Sequence, residues 1–196
     1  MLSRMRFILA SASPQRRELL KGLGMAFDVV PSGVDESAYE DKDPAKRAQV
    51  LARMKAEDVQ RAHSDCWVLG CDTLVVASDG TLLEKPKDAA EAEKMLRLQS
   101  GAISVIHSGL CLIGPSSRAE GISSSRVHFK KLSEEEIAWW IGTGQWKDRS
   151  GAFQIDGKGQ LMIEHLEGDF TSVVGLPVFL LGELMKKTGV NFNVAP

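Results

Sequence analysis

Short apolar runs alternate along the chain with segments in which apolar residues recur at helical spacing. Runs of apolar and β-branched residues predict strands at residues 7–10, 27–30, 67–70, 74–77, 81–83, 103–113, 121–130 and 161–166. Capping signals and amphipathic spacing predict helices at residues 14–21, 44–62, 88–98, 133–140 and 178–187. Strands that alternate with helices in this way indicate an α/β protein with a mixed sheet and flanking helices.

Length and charge exclude some classes of protein. The chain has 196 residues, of which 43% are hydrophobic, and this suits one domain, or two small lobes that share a core. Lysine and arginine number 24 against 26 aspartates and glutamates, a net charge of −2. A general nucleic-acid coat would need a basic excess, so we expect no nucleic-acid partner.

The cysteines and the amino end indicate a cytoplasmic protein. Cys66, Cys71 and Cys111 are widely spaced and form no CxxC pair, which argues against a zinc ribbon and a disulfide scaffold. Free thiols are typical of a reducing compartment. The first apolar run, residues 7–10, is too short for a signal peptide, and no run approaches the ~20 residues that a membrane helix needs.

The first candidate site is the turn between strand 7–10 and the helix that follows. Ser13 suits the N-cap and Pro14 the first helical position. The free N–H groups of a helix start, the Ser11 hydroxyl and the fork of Arg16 could together cradle a phosphate. The alternative is an ordinary capped helix with solvated arginines.

Two acidic positions follow predicted strands. Glu36, next to Asp35 in a polar loop, could bind a hard cation such as Mg²⁺, and the alternative is a solvated acidic loop. Asp72 follows the predicted strand 67–70 directly, where ligands of α/β sheets tend to collect. It could orient a metal or accept a proton from water, or merely cap a turn. Gly70 lets backbone or ligand approach closely.

Further candidates are two lysines and one aromatic ring. Lys55 on the long helix and Lys85, held extended before Pro86, could each reach a phosphate as a point charge, although single lysines are usually solvated. Phe153 lies in a glycine-punctuated loop and could stack on a base or pack in the core. The four histidines lack metal-ligand spacing.

Taken together, these segments resemble the Maf family of nucleotide pyrophosphatases. The matching motifs occur in family order over nearly the whole chain. They are Ser11-Ala-Ser-Pro-Gln-Arg-Arg-Glu-Leu-Leu20, Val34-Asp-Glu36, Ala52-Arg-Met-Lys-Ala56, Gly70-Cys-Asp-Thr73, Glu84-Lys-Pro86, Gly151-Ala-Phe-Gln-Ile-Asp-Gly157 and Val173-Val-Gly-Leu-Pro177. The resemblance implies a two-lobed, inosine-triphosphatase-like α/β fold with a central nucleotide cleft, a single domain over residues 1–196, and a homodimer.

The activity implied by the resemblance is metal-dependent hydrolysis of a nucleoside triphosphate to monophosphate and pyrophosphate, with Mg²⁺, Mn²⁺ or Co²⁺, as a house-cleaning enzyme for modified nucleotides. By matching position, Asp72 would be the general base and Glu36 would help to hold metal or water. The triphosphate would be held by Ser11, Arg16, Lys55 and Lys85. The roles agree with the chemistry, since attack of water on phosphate needs a base and charge neutralisation.

At the family's specificity positions this chain has Gln15, Thr73 and Asp156. The dTTP/UTP type generally has arginine, threonine and glutamine there, and the 7-methyl-GTP type tryptophan, glutamine and glutamate. Thr73 therefore favours the first type and the acidic Asp156 the second, which predicts a third, broader subgroup.

A nucleotide-binding regulator of cell division or septum formation with little turnover is the alternative function. The complete set Glu36, Asp72, Lys55 and Lys85 argues against it.

Overall fold

The computed structural model describes residues 6–190, and the rest of the predicted domain, residues 1–5 and 191–196, lies outside them. The strands are β1 (Phe7–Leu9), β2 (Asp28–Val29), β3 (Trp67–Val76), β4 (Leu82–Leu83), β5 (Ile103–Ile113), β6 (Arg118–Phe129) and β7 (Ile163–Glu167). The helices are α1 (Pro14–Gly22), α2 (Pro44–Gln60), α3 (Ala89–Gln99), α4 (Glu134–Thr143), α5 (Phe170–Val174) and α6 (Val178–Thr188). Short 3₁₀ helices occupy Glu36–Ala38, Ser150–Ala152 and Gly157–Met162.

Within the described chain the seven strands form one mixed sheet, which confirms the predicted fold class. Its order is β2-β1-β3-β5-β6-β7, and β4 pairs with β3 outside this path. The β2–β1–β3 part is parallel, and β3 with β5, β6 and β7 is antiparallel. β3 therefore joins the two halves of the sheet.

The local signals at helix starts and turns are confirmed. Ser13 caps α1, and its hydroxyl accepts from the backbone N–H of Arg16. Ser133 and Glu136 form the reciprocal capping box of α4, which satisfies donors that the first helical turn leaves free. The predicted hairpin closes at Gly80, whose φ of 87° a glycine adopts without strain.

The prediction of separate strands at 67–70 and 74–77 is wrong. β3 is continuous through Asp72, because β5 pairs with it at every residue from Val68 to Val76. Asp72 is thus an interior strand residue opposite Gly109. The small polar residues at 70–73 suggested a turn, but the ladder with β5 outweighs that local preference.

Two glycines let α2 lie directly on this sheet. A Cβ added to Gly70 would come within 2.7 Å of the backbone nitrogen of Ala56, and one on Gly109 within 2.5 Å of the carbonyl oxygen of Ala48. The sequence allowed either backbone or a ligand to approach Gly70, and the structure shows the backbone of α2 there. Lys55 on the buried face of α2 is thereby brought to the sheet surface.

The core packs on both faces of the sheet, because residues of opposite parity along β3 and β5 belong to different clusters. Two clusters lie on one face, one with Phe129, Trp140 and Phe153 and the other with Leu69, Leu110 and Leu181. A smaller cluster lies on the other face, under α2. Within residues 6–190, no helix is both long and apolar enough to cross a membrane.

Candidate active site

A gap in strand pairing positions the candidate site. One edge of β3 pairs with β1 at residues 67–69 and with β4 at residues 75–76, while β5 takes the other edge. Asp72 and Thr73 lie in the interval between β1 and β4. A cavity of about 630 Å³ opens there, lined by side chains from α1, the loop after β2, α2, β3 and the segment 147–156. Adjacent strand residues face opposite sides of a sheet, so this cavity extends around both faces of the β3 edge.

Lys55 forms an ion pair with both predicted catalytic carboxylates. Its Nζ lies 2.6 Å from Oδ1 of Asp72 and 2.8 Å from Oε1 of Glu36. The side chains of Lys55 and Asp72 are 9% and 5% exposed, whereas that of Glu36 is 57% exposed. The structure thus brings a buried lysine and aspartate together with a carboxylate from the cavity rim.

Within the described chain, the second carboxylate oxygen of Asp72 has no partner. Oδ2 is buried and accepts no hydrogen bond from the described residues, although a buried carboxylate oxygen normally has a donor. Asp72 lines the cavity, where water or a cation could satisfy this oxygen. Such an oxygen beside a polar cavity suits the acceptance of a proton from water.

Glu36 remains ionised because cations surround it. Burial raises its pKa, but the positive charges of Lys55, Lys85 and Arg16 outweigh this effect and bring the net pKa below its ordinary value. A carboxylate that stays charged can hold a cation or orient a water.

Arg16 is fixed by three hydrogen bonds within the protein. Its Nε donates to the carbonyl of Gly175 at 2.9 Å, Nη1 to Oγ of Ser11 at 2.9 Å, and Nη2 to Oγ1 of Thr73 at 3.2 Å. Ser11 accepts this bond and one from the backbone N–H of Ser13, which leaves its own hydroxyl hydrogen as a donor. The turn thus presents Ser11 and the remaining N–H groups of Arg16 to the cavity, as a phosphate cradle requires.

Thr73 belongs to an internal hydrogen-bond chain. Its Oγ1 lies 2.8 Å from Oγ of Ser108, which donates to the carbonyl of Ser172 at 2.7 Å. The chain links β3, β5 and α5 behind Arg16. Sequence reasoning missed Ser108, because a serine inside a strand carries no local signal of this contact.

The segment 147–157 supplies two further cations, together with Asp148 and Asp156. Lys147 and Arg149 line the cavity, and neither was predicted as a site residue, although Arg149 begins a glycine-rich segment. Behind them, Nε2 of Gln99 donates to the carbonyl of Gly151 at 2.7 Å, and Nε1 of Trp140 to that of Ala152 at 2.8 Å. These bonds hold Ala152 at a φ of 58°, a strained value for a residue with a Cβ.

The remaining specificity candidates lie at the mouth of a side cavity. Gln15 and Asp156 line both the main cavity and an adjoining one of about 320 Å³, which Phe170 also lines. Oε1 of Gln15 accepts from the hydroxyl of Ser13 at 3.1 Å, so its amide N–H groups remain available. Phe170, the first residue of α5, is 44% exposed and was missed because a single aromatic residue has no distinctive sequence pattern.

The structure also places Phe153, for which base stacking and core packing were both open, and the thiol of Cys71. Phe153 packs edge-on against Phe129 at 5.0 Å in the core, while also lining the cavity. Cys71 is fully buried among apolar side chains, and burial raises its pKa to about 11.

A divalent cation fits the donors that this site offers. Asp72 contributes the unpartnered Oδ2, and Glu36 stands across Lys55 from it. Within residues 6–190 no three His, Cys, Asp or Glu side chains form a cluster that could hold a metal. Mg²⁺ commonly takes one or two carboxylates together with substrate phosphates, so two carboxylates suit a cation that shares its ligands with a nucleotide.

Known proteins resemble this chain along most of its length. A dTTP/UTP pyrophosphatase of Deinococcus radiodurans is 42% identical over 186 residues, which cover 95% of this chain and 94% of the relative. One of Pyrococcus furiosus is 38% identical and covers 92% and 94%. A HAM1 protein from Coxiella burnetii shares the fold at a TM-score of 0.53 and 11% identity, over 94% of this chain and 100% of that protein. The family model described as Maf-like protein matches residues 6–188, and the chain therefore belongs to the Maf-like family.

Proposed function

We propose that this protein hydrolyses nucleoside triphosphates to the monophosphate and pyrophosphate. The observation that carries the proposal is the buried Oδ2 of Asp72, which has no partner within residues 6–190, in a residue that lines a cavity of mixed charge with five cations. The dTTP/UTP pyrophosphatases that resemble the chain along almost its full length support the same reaction. The proposal takes residues 1–196 as one domain whose two lobes share this cleft.

Asp72 acts as the general base in this proposal. Its Oδ2 accepts a proton from a water molecule, and the water oxygen forms a bond to the α-phosphorus. The bond from that phosphorus to the bridging oxygen breaks, and pyrophosphate leaves with the electron pair. In the free protein Lys55 occupies Oδ1 at 2.6 Å, which leaves Oδ2 as the oxygen that can take up the proton.

Cationic side chains stabilise the leaving pyrophosphate. Arg16, Lys85 and the hydroxyl of Ser11 line the cavity and supply donors to phosphate oxygens. Donors that are already oriented before the reaction stabilise developing charge without further rearrangement. Arg16 meets this condition because three of its N–H groups are fixed by the protein.

A divalent cation belongs to the proposal as well. Glu36 and Asp72 would hold it, and when bound it neutralises phosphate charge and favours attack by water. Mg²⁺, Mn²⁺ and Co²⁺ are the candidates. The role in cleaning modified nucleotides and the homodimer are proposed on the family resemblance, and the cytoplasmic location also on three buried free cysteines.

The nucleobase of the substrate would contact Gln15 and Asp156. An amide that donates and a carboxylate that accepts can pair with the edges of several bases, which supports the broad preference predicted from the sequence. The Thr73 hydroxyl is hydrogen-bonded to Arg16 and Ser108. Its effect on specificity would therefore act through the position of Arg16. The relatives named for dTTP and UTP make these the first nucleotides to assay.

The test is pyrophosphate release from a panel of nucleotides, including uridine, thymidine and 7-methylguanosine triphosphates, with Mg²⁺ or Mn²⁺. Asp72→Asn is expected to lower kcat by about 10²–10⁴-fold, because a general base contributes about that much. Asp65→Asn, which changes an exposed carboxylate outside the cavity, is the matched control and should leave kcat unchanged. Undiminished turnover by Asp72→Asn would refute the mechanism, and tight nucleotide binding without any product would favour a regulatory protein.

A further inference from the structure

Lys55 lies where a cation would bridge the two carboxylates of the site. Its Nζ contacts Asp72 at 2.6 Å and Glu36 at 2.8 Å, and these are the donors that a divalent cation would use. An ammonium and a divalent cation repel each other strongly at such separations. In the free protein, therefore, the lysine already neutralises one of the two negative charges.

The charge of the whole cavity opposes a free cation further. Its lining carries five cationic side chains (Arg16, Lys55, Lys85, Lys147 and Arg149) and four acidic ones (Glu36, Asp72, Asp148 and Asp156). The cavity thus has a net charge of +1, although the chain as a whole has −2. Field lines converge in a cleft with low-dielectric walls, so this cavity attracts a polyanion and disfavours an isolated dication.

We propose that Lys55 keeps divalent cations out of the free enzyme and releases the two carboxylates only when a triphosphate enters. This inference rests on the proposed function, since it assigns an order to the binding of that enzyme's substrate and cation. The triphosphate offers new oxygen partners to the ammonium, and Lys55 exchanges its carboxylate contacts for phosphate contacts. Asp72 and Glu36 then become available to a cation that the phosphates also attract.

The surroundings of Lys55 allow this exchange. The lysine side chain has a flexible four-carbon stem, so its compact ammonium can move between partners. Glu36 lies in a short 3₁₀ helix with its side chain 57% exposed, so that half of the ion-pair network is not locked by packing. Asp72, in contrast, is fixed in β3 and lines the cavity that the triphosphate would enter.

The test is titration of the nucleotide-free protein with Mn²⁺ alone by isothermal calorimetry. Lys55→Met keeps the length of the side chain and removes the ammonium between the carboxylates. Lys85→Met is the matched control, because it removes an equal charge from the same cavity, and no ion pair of Lys85 with a carboxylate occurs within residues 6–190. We expect Lys55→Met to bind Mn²⁺ at least about tenfold more tightly than the wild type or Lys85→Met.

Two results would overturn the assignment. One is binding of Mn²⁺ to the wild type as tight as to Lys55→Met, and the other is an equal gain in Lys85→Met, which would indicate the charge of the cavity alone. If Lys55→Met does not fold, the wild type still decides. It should bind a non-hydrolysable triphosphate analogue in the presence of EDTA, and a strict requirement for metal before the analogue binds would refute the order.

Failure of this inference is distinguishable from failure of the proposed function. The Mn²⁺ titrations require no turnover. Absence of pyrophosphate release from every nucleotide would refute the function, while the titrations would still report whether Lys55 excludes the cation.

Discussion

At the scale of single residues, Asp72 and Arg16 are each held by a neighbour on another element. Lys55 from α2 fixes Oδ1 of Asp72, and Thr73 from β3 fixes Nη2 of Arg16. Buried polar networks of this kind rigidify a site when their members are satisfied. Oδ2 of Asp72, which accepts no hydrogen bond from residues 6–190, is the atom assigned to chemistry.

The Thr73 hydroxyl is expected to control substrate affinity through Arg16. Thr73→Val removes the acceptor at 3.2 Å from Nη2, and a hydrogen bond to a charged group contributes about 1.5–3 kcal/mol. We therefore expect the KM for nucleotides to rise about tenfold. Thr73→Ser keeps the hydroxyl and should stay close to the wild type in steady-state assays. A normal KM in Thr73→Val would show that the other two bonds of Arg16 suffice.

Glu36 is expected to make stability depend on acid pH. Its pKa in the folded protein is lower than the ordinary 4.5, because nearby cations outweigh the effect of burial. Its contribution to the free energy of unfolding is therefore complete above pH 4.5 and is lost as the pH falls through the lower folded value. Glu36→Gln should weaken this loss. Urea unfolding of both proteins over this pH range measures the difference, and parallel curves would contradict the prediction.

At the scale of elements, the site depends on how closely α2 approaches the sheet. Gly70 and Gly109 have no side chains to separate α2 from β3 and β5. This contact places Lys55 beside Asp72, which is 17 residues further along the chain. The pair is therefore a product of helix-to-sheet packing.

Gly70→Ala is expected to impair stability and activity together. The new Cβ would lie within 2.7 Å of the Ala56 backbone nitrogen, and overpacking of a core costs about 1–3 kcal/mol. Displacement of α2 would also separate Lys55 from Asp72, so kcat should fall. Gly142→Ala is the control, because that glycine in α4 has open space around it and alanine favours a helix by about 0.5–1 kcal/mol. Denaturant melts and kcat measure both effects, and equal stability of the two variants would refute the close contact.

Elements with their own local signals could be predicted from the sequence. Ser13-Pro14 and the Ser133 capping box fix helix starts, and the candidate residues Asp72 and Lys55 were both identified. The continuity of β3 could not be predicted, because it depends on pairing with β5 more than thirty residues later. For the same reason, neither the Lys55–Asp72 pair nor the role of Ser108 was visible in the linear order.

At the scale of the whole molecule, charge is separated between cleft and surface. The chain has a net charge of −2, whereas the cavity lining carries five cationic and four acidic side chains. The cavity of this near-neutral protein can therefore attract a polyanion through its local positive charge.

Salt is expected to weaken nucleotide binding. The screening length falls from about 30 Å at 0.01 M to about 10 Å at 0.1 M salt, so KM should rise with KCl if the cavity attracts the triphosphate by charge. An uncharged nucleoside, tested as an inhibitor, should show no such dependence and serves as the control. A KM that is constant from low to high salt would contradict the proposed clamp.

The continuous pairing of β3 with β5 also has a consequence for errors in folding. If β3 slipped by one residue in this ladder, every side chain would change faces. Cys71 or Thr73 would then occupy the position of Asp72 opposite α2, and Lys55 would meet a thiol or a hydroxyl. A chain with this shifted register would be inactive even if its sheet were intact. Measured turnover therefore shows that β3 and β5 have paired in their native register.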